Sequence, residues 1–361
     1  MNQTEKNVNI ELLRTVSMLM ILTLHYFAQG QVLELTERSA GVTWYLVWAI
    51  EAFCLVSVNL YMLISGYFLS TKAYSWRRLL SFYATILFYT VVLTVVCYST
   101  GLAKVNFDSL TSTFPIVAGR GNWYVTVYVV VLTASPLLNV VAQTLEKAVY
   151  RRLMYILFVL FSLIPSVICW VDQFDLQKGY SVLWFVYLYL LAAYIRRFDV
   201  KIKIGLALPM ILSLVILPFV KYVIVIFFSS TALEKAQYAL YGYNAFPVFL
   251  ASVAIFCLVV NGGRRIKSKV LSAIIFYLGK TSFGVFFIHS FVLLREKLWI
   301  GLGSKFYIGS PLQFVHCACC VLSIYLICSL IDTFKSLIFR FLWIDRLIKK
   351  ISGKLDEKFS L

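Results

Sequence analysis

The chain of 361 residues is 61% hydrophobic, 17% aromatic and only 14% charged, with a formal net charge of +17. Soluble domains sit near roughly 45–50% apolar and about 25% charged, so this composition excludes an ordinary soluble enzyme. The apolar excess falls in continuous runs of roughly 18–25 residues, the length that crosses a bilayer. Because the runs do not alternate, they predict helices rather than the strands of a barrel.

In chain order the spans are predicted over residues 11–29, 45–69, 79–101, 123–142, 153–171, 182–195, 205–228, 239–260, 271–294 and 313–334, the sixth being the shortest. The fold class expected is therefore all-α, a polytopic helical bundle with about ten transmembrane helices. Connections are short, with no internal repeat and no low-complexity linker. They predict one membrane domain over residues 1–335 and a basic cytoplasmic tail over 336–361. From Phe334 onward the Lys-rich sequence has the pattern of an amphipathic surface helix. No small-residue cleavage site follows the first span, which is expected to serve as its own insertion signal.

Lys and Arg set the orientation. With the N-terminus cytoplasmic, 24 of them fall on the cytoplasmic side and 8 on the other, with Lys221 left inside a span. The bias predicts that both termini are cytoplasmic and that the protein sits in a bacterial inner membrane. It also makes the basic balance topological: anionic lipid is the nearer partner of these loops, and nucleic acid is not expected. The cysteines, 54, 97, 169, 257, 317, 319, 320 and 328, all fall in spans or at their edges and suggest no disulfide framework. His316 with Cys317, Cys319 and Cys320 has the composition of a soft-metal site. No second ligand cluster accompanies it, so small residues packing between helices is the plainer reading and no metal is expected.

Arg14, His25, Glu51, Lys221 and His289 lie within the predicted spans, where lipid makes ionisable groups costly. His25 follows Arg14 by eleven residues. Eleven helical steps return to within about 20° and advance about 16 Å, so both side chains leave one face. The guanidinium then lies near the cytoplasmic phosphates and the imidazole in the outer half of the membrane. His25, Glu51 and His289 are each about five or six residues from the outer end of their span, within roughly a turn of the same depth. Each has a bland explanation. A lone His or Glu can hydrogen-bond a neighbouring helix, and an Arg near a helix end can reach the headgroups. Arg14 and His25 sharing a face is less easily explained that way.

Several segments resemble the acyltransferase-three family of integral membrane acyltransferases. The stretch from Asn9 through Glu11 and Arg14 to His25 is similar to the family's opening: an Arg, ten apolar residues and a His. Tyr61 to Leu69, with Ser65-Gly66 inside it, resembles the aromatic-rich end of the second span. Trp76-Arg77-Arg78 resembles the basic segment opening the third. Asn122-Trp123-Tyr124 through Tyr128, then Ser135-Pro136, resembles a Trp-led fourth span, and Ser282 to His289 a late segment ending in His. Asn59-Leu60-Tyr61 departs from the pattern, which more often has an apolar–aromatic pair before the Ser-Gly.

The resemblance implies transfer of an acyl group, usually acetyl, from cytoplasmic acetyl-CoA to a sugar of a cell-envelope or exported polysaccharide, which would be a glycan or lipid-linked acceptor. Arg14, Arg77, Arg78, Ser65 and Gly66 are then expected at the donor. His25 is expected as base or acyl carrier, with Glu51 on its other ring nitrogen. His289, Asn122 or Trp123 would stabilise the oxyanion, and Asn122, Trp123 and Tyr128 would bind substrate. A glycan or lipid transporter or flippase is the alternative, since charged spans and a basic cytoplasmic side suit it too. A glycan polymerase would carry a larger, Arg-rich outer loop than residues 102–122, and a scaffold would not need Arg14 and His25 on one face.

Overall fold

A computed structural model of the chain describes residues 8–36, 41–104, 106–107, 111, 113, 122–168, 172, 174–227, 240–262 and 266–358, with side chains except at 225 and 226. Of the cations that set the expected topology, Lys6, Arg38, Arg120, Lys235, Arg264 and Arg265 lie outside the described residues. So do Cys169 and most of the loop over 102–122.

The described secondary structure is all helical. In order it comprises α1 (Val8–Gln29), α2 (Val32–Thr36), α3 (Val42–Cys54), α4 (Val56–Leu69), α5 (Trp76–Ser99), α6 (Trp123–Thr144), α7 (Lys147–Val167), α8 (Val182–Arg197), α9 (Ile204–Phe227), α10 (Phe246–Gly262), α11 (Lys269–His289), α12 (Arg295–Gly301), α13 (Leu312–Phe341) and α14 (Ile344–Lys358). Helices α3 and α4 run on through Leu55, whose backbone is helical and whose N–H bonds to the Glu51 carbonyl, so they cross as one segment. Pro165 has no N–H to donate, and the turn before it, Val159–Leu163, relaxes into a π-helix.

Each predicted span overlaps a helix, but the eighth, expected from 239, passes through a turn at 241–245 and its helix begins at Phe246. Among the described residues, eight segments are long and apolar enough to cross a membrane. Two of the predicted spans are shorter, α8 with 16 residues and α10 with 17. Sixteen residues reach about 24 Å, less than the hydrocarbon thickness. Both are largely walled by protein: Trp184, Phe185, Leu188 and Ala192 of α8 are fully buried. Backbone beyond a short helix is tolerated at membrane depth when protein rather than lipid surrounds it.

Helix α1 is central, packed against α4, α11 and α13. Helix α8 lies between α4 and α6, and α9 packs on α3 and α10. The crossing of α4 with α8 depends on Gly66: a Cβ there would sit 2.9 Å from the Tyr189 Cα, and small residues let membrane helices approach this closely. Helix α13 runs past residue 335 to Phe341 before α14 turns away and lays Ile348 and Ser352 against α5.

Candidate active site

Two cavities open toward opposite ends of α1. One, about 600 Å³ and outer in the orientation the cations predict, lies along the C-terminal half of the helix and is lined by Ile21, Leu24, His25 and Ala28 of that face. The inner one, about 320 Å³, takes Arg14, Met18 and Ile21 from the same face. Ile21, Tyr124 and Phe286 line both, so they form the partition between them. Tyr124 and Phe286 meet edge to face at 5.0 Å between ring centroids. The one-face relation of Arg14 and His25 thus places them in adjoining chambers.

Within the outer chamber, His25 Nδ1 lies 2.9 Å from His289 Nε2. His289 Nδ1 is in turn 2.5 Å from the Val285 carbonyl oxygen one helical turn back. A carbonyl only accepts, so His289 Nδ1 carries its proton and donates. With both rings neutral, His289 Nε2 can then only accept, so His25 donates through Nδ1 and keeps a lone pair on Nε2. His289 is the last residue of α11, which stops five residues short of the expected 294. Its imidazole folds back onto the turn before it, meeting a carbonyl four residues back.

Here the geometry departs from expectation. Glu51 was expected on the second nitrogen of His25, but His289 occupies that place. Depth agreement brought all three residues to one chamber, yet helix adjacency decides contact, and α1 packs along α11. Glu51 lines the chamber separately, 8% exposed, with Oε2 in no hydrogen bond. Lys221 is within electrostatic reach of it and lies 3.1 Å from the Trp48 ring centroid. Asn122 and Trp123 line the outer chamber as expected; Asn122 Nδ2 donates to Ser290 Oγ at 2.6 Å. Tyr128 lines the inner chamber, not the outer, because it sits a turn deeper along α6 and packs against Phe82.

Arg14 projects into the inner chamber with its guanidinium bonded to Glu11 Oε2 at 2.7 Å. Tyr61 donates to the Arg14 carbonyl, fixing α1 on α4. Ser65 lines the same chamber, its hydroxyl turned to the Tyr61 carbonyl. Gly66 does not line it: its face is taken by Tyr189. Arg77 is exposed and Arg78 half-buried, and neither is in the lining. Arg78 nevertheless belongs to a cationic group on this side. Partial burial, then repulsion from Arg78, Arg196 and Arg14, holds the Lys72 ammonium below its ordinary range.

Sequence reasoning missed Lys280, which lines the inner chamber but reads in the sequence as one more topological cation. It also missed Tyr180 and Arg295 of the outer chamber, which lie just outside predicted spans, and Tyr243, which falls inside the predicted span 239–260 but in a turn before α10 begins at Phe246. His316 is engaged within the protein: Nδ1 lies 2.8 Å from the Tyr26 hydroxyl and Nε2 3.5 Å from Cys320 Sγ. Among the described residues no group of three potential ligands is disposed to hold a metal ion.

A family model described as an acyltransferase domain matches residues 7–333, nearly the whole chain. No curated protein and no solved structure matches.

Proposed function

The chain belongs to this acyltransferase-domain family and is a multi-pass membrane acyltransferase; from that premise we propose that it moves an acetyl group from cytoplasmic acetyl-CoA to a sugar hydroxyl of an exported or cell-envelope glycan. The observation that carries the reading is the pair of chambers meeting at Ile21, with Arg14 on one side and the His25–His289 pair on the other. Anionic phosphates of the donor need cations at the cytoplasmic mouth, and a planar guanidinium suits them best. Arg14 and Lys280 supply charge in the chamber, with Lys72, Arg78 and Arg196 beside it.

A sugar hydroxyl is a poor nucleophile until a base takes its proton. In this reading His25 Nε2 removes that proton as the hydroxyl oxygen bonds to the thioester carbonyl carbon. The imidazolium formed donates more strongly through Nδ1 to His289, which is held in the accepting tautomer by Val285. His289 therefore takes the part a carboxylate plays in a hydrolase triad. Collapse of the tetrahedral adduct breaks the C–S bond, and the thiolate recovers the proton from His25. The same lone pair would serve an acyl-imidazole route, in which His25 carries the acetyl group before the sugar takes it.

Glycan mass spectrometry of a deletion strain tests the proposal. The expected result is loss of an acetyl mass, restored by the wild-type gene and not by His25→Ala. Unchanged acetylation with glycan retained inside the cell would favour transport instead.

A further inference from the structure

We propose that the outer chamber recognises its acceptor as an uncharged pyranose, stacked on an aromatic wall of Trp123, Tyr180 and Tyr243 and donating hydroxyls to Glu51, with Asn59 as the residue that positions the wall. The proposal rests on the acyl-transfer reading only in assigning the acceptor to this chamber.

Trp123, Tyr180 and Tyr243 all line the chamber. Their centroids are 4.4 Å apart for Trp123–Tyr180, 4.9 Å for Tyr180–Tyr243 and 5.9 Å for Trp123–Tyr243, the last pair within 22° of parallel. Two loops that carry these tyrosines are joined directly. The Tyr243 N–H donates to the Lys178 carbonyl at 2.8 Å. Gly179, at φ +90°, lies so close that a Cβ would meet the Asn244 nitrogen and Tyr243 Cβ at 2.8 Å. The turn therefore favours glycine both by conformation and by space.

Beneath the wall sits Asn59, fully buried. Its amide donates to the Tyr243 carbonyl at 2.8 Å and to Ser252 Oγ at 3.2 Å, and its oxygen accepts from Trp184 Nε1 at 3.0 Å. An apolar residue there would strand the Tyr243 carbonyl and the indole N–H in a buried site.

Glu51 supplies the polar counterpart. It is more than nine-tenths buried, lines the chamber, and has an oxygen with no hydrogen-bond partner. A buried carboxylate oxygen left unpaired is unfavourable unless a ligand brings a donor. Sugar hydroxyls are such donors, and the C–H face of a pyranose suits an aromatic surface of this kind. A carboxylate on the sugar would share this buried site with Glu51, where two acids cannot both ionise; Arg295, the lining cation, is why the glucuronide is tested beside the neutral sugars.

The test uses the full chain in lipid nanodiscs. Acetyl-CoA and, separately, the methyl pyranosides of glucose, galactose, mannose and glucuronic acid are titrated, with binding read by saturation-transfer NMR. At least one neutral methyl pyranoside is expected to bind, and the glucuronide at least about tenfold more weakly. Glu51→Gln and Tyr243→Leu should each weaken the neutral sugar at least about tenfold, the share of about one hydrogen bond or one aromatic contact, while acetyl-CoA affinity stays. Asn59→Leu should raise the acceptor KM with little change in kcat. Should Asn59→Leu fail to fold, the other two variants decide. Binding of acetyl-CoA without any neutral pyranoside overturns the proposal and leaves acyl transfer standing. So does sugar binding unchanged in both Glu51→Gln and Tyr243→Leu. Sugar binding that depends on Glu51 in a protein that does not bind acetyl-CoA supports the wall and overturns the donor assignment.

Discussion

His289→Ala is the most informative single change, because it separates orientation of the base from the base itself. It removes the acceptor 2.9 Å from His25 Nδ1. The His25 ring then has two states. If it keeps the Nδ1 proton, a buried donor goes unpaired, at about 1–3 kcal/mol. If it moves the proton to Nε2, the lone pair that should accept the sugar proton is gone. The imidazolium of the transition state also loses a charge-assisted bond, about 1.5–3 kcal/mol. Acetyl transfer should therefore fall about 10- to 100-fold. His289→Gln can present an amide oxygen near the vacated Nε2 position and should lose less than about tenfold. His25→Ala should lose at least about a hundredfold, the usual share of general acid–base catalysis, while remaining inserted. His25→Gln, which cannot take a proton, should be nearly as inactive. The double variant His25→Ala with His289→Ala should be no worse than His25→Ala alone, since one residue acts through the other. The assay is acetylated glycan per unit of inserted protein. Full activity in His289→Ala would refute the orienting role, and an active His25→Gln beside a dead His289→Ala would place the base on α11.

Arg14→Ala should weaken acetyl-CoA binding to membrane vesicles, with Arg14→Lys restoring only part of it because the planar fork is lost; unchanged affinity in Arg14→Ala would remove Arg14 from the donor site. A reporter active only outside the cytoplasm, fused at Lys358, should stay silent, and a strong signal would overturn the cytoplasmic C-terminus. Gly66→Leu should lower the thermal midpoint in detergent, by overpacking of about 1–3 kcal/mol against Tyr189. The surviving protein should keep its acetyl-CoA affinity; a variant as stable as wild type that no longer binds acetyl-CoA would return Gly66 to the donor site.

Periodicity and depth made much of this site legible. The spacing of Arg14 and His25 required only helix geometry, and the two residues line adjoining chambers as that spacing predicts. Depth placed Glu51 and His289 in the chamber of His25, but depth says nothing about which helix is the neighbour. His289 rather than Glu51 meets His25 because of that missing piece, together with a helix end at His289 that apolar residues beyond it concealed. Tyr180 and Tyr243 were hidden for another reason: Tyr180 lies in a connection, Tyr243 in a turn that an apolar run predicted as helix, and Asn59, which anchors Tyr243, reads in the sequence as a mere departure from a pattern. Lys280 was counted for its side of the membrane and not for the chamber it lines.

Chemistry shared between two compartments has to avoid becoming a leak, and the partition bears on how. Ile21 lies seven residues after Arg14 and four before His25, about 10 Å and 6 Å along the axis. Donor phosphates held at Arg14 would bring a thioester to His25 only if the pantetheine arm passes Ile21, Tyr124 and Phe286. These three are buried, at 4%, 8% and 8% exposure, and form the shared wall of both chambers. A partition of this kind is closed while empty and, in the proposed reading, closes around the pantetheine arm when filled, which would keep water from the thioester. Phe286→Ala removes the largest apolar face of that wall without touching Arg14 or His25. In vesicles it should raise acetyl-CoA hydrolysis per molecule bound, in the absence of acceptor. Hydrolysis no higher than wild type, in a variant that still transfers acetyl groups, would mean that the partition is not what holds water from the thioester.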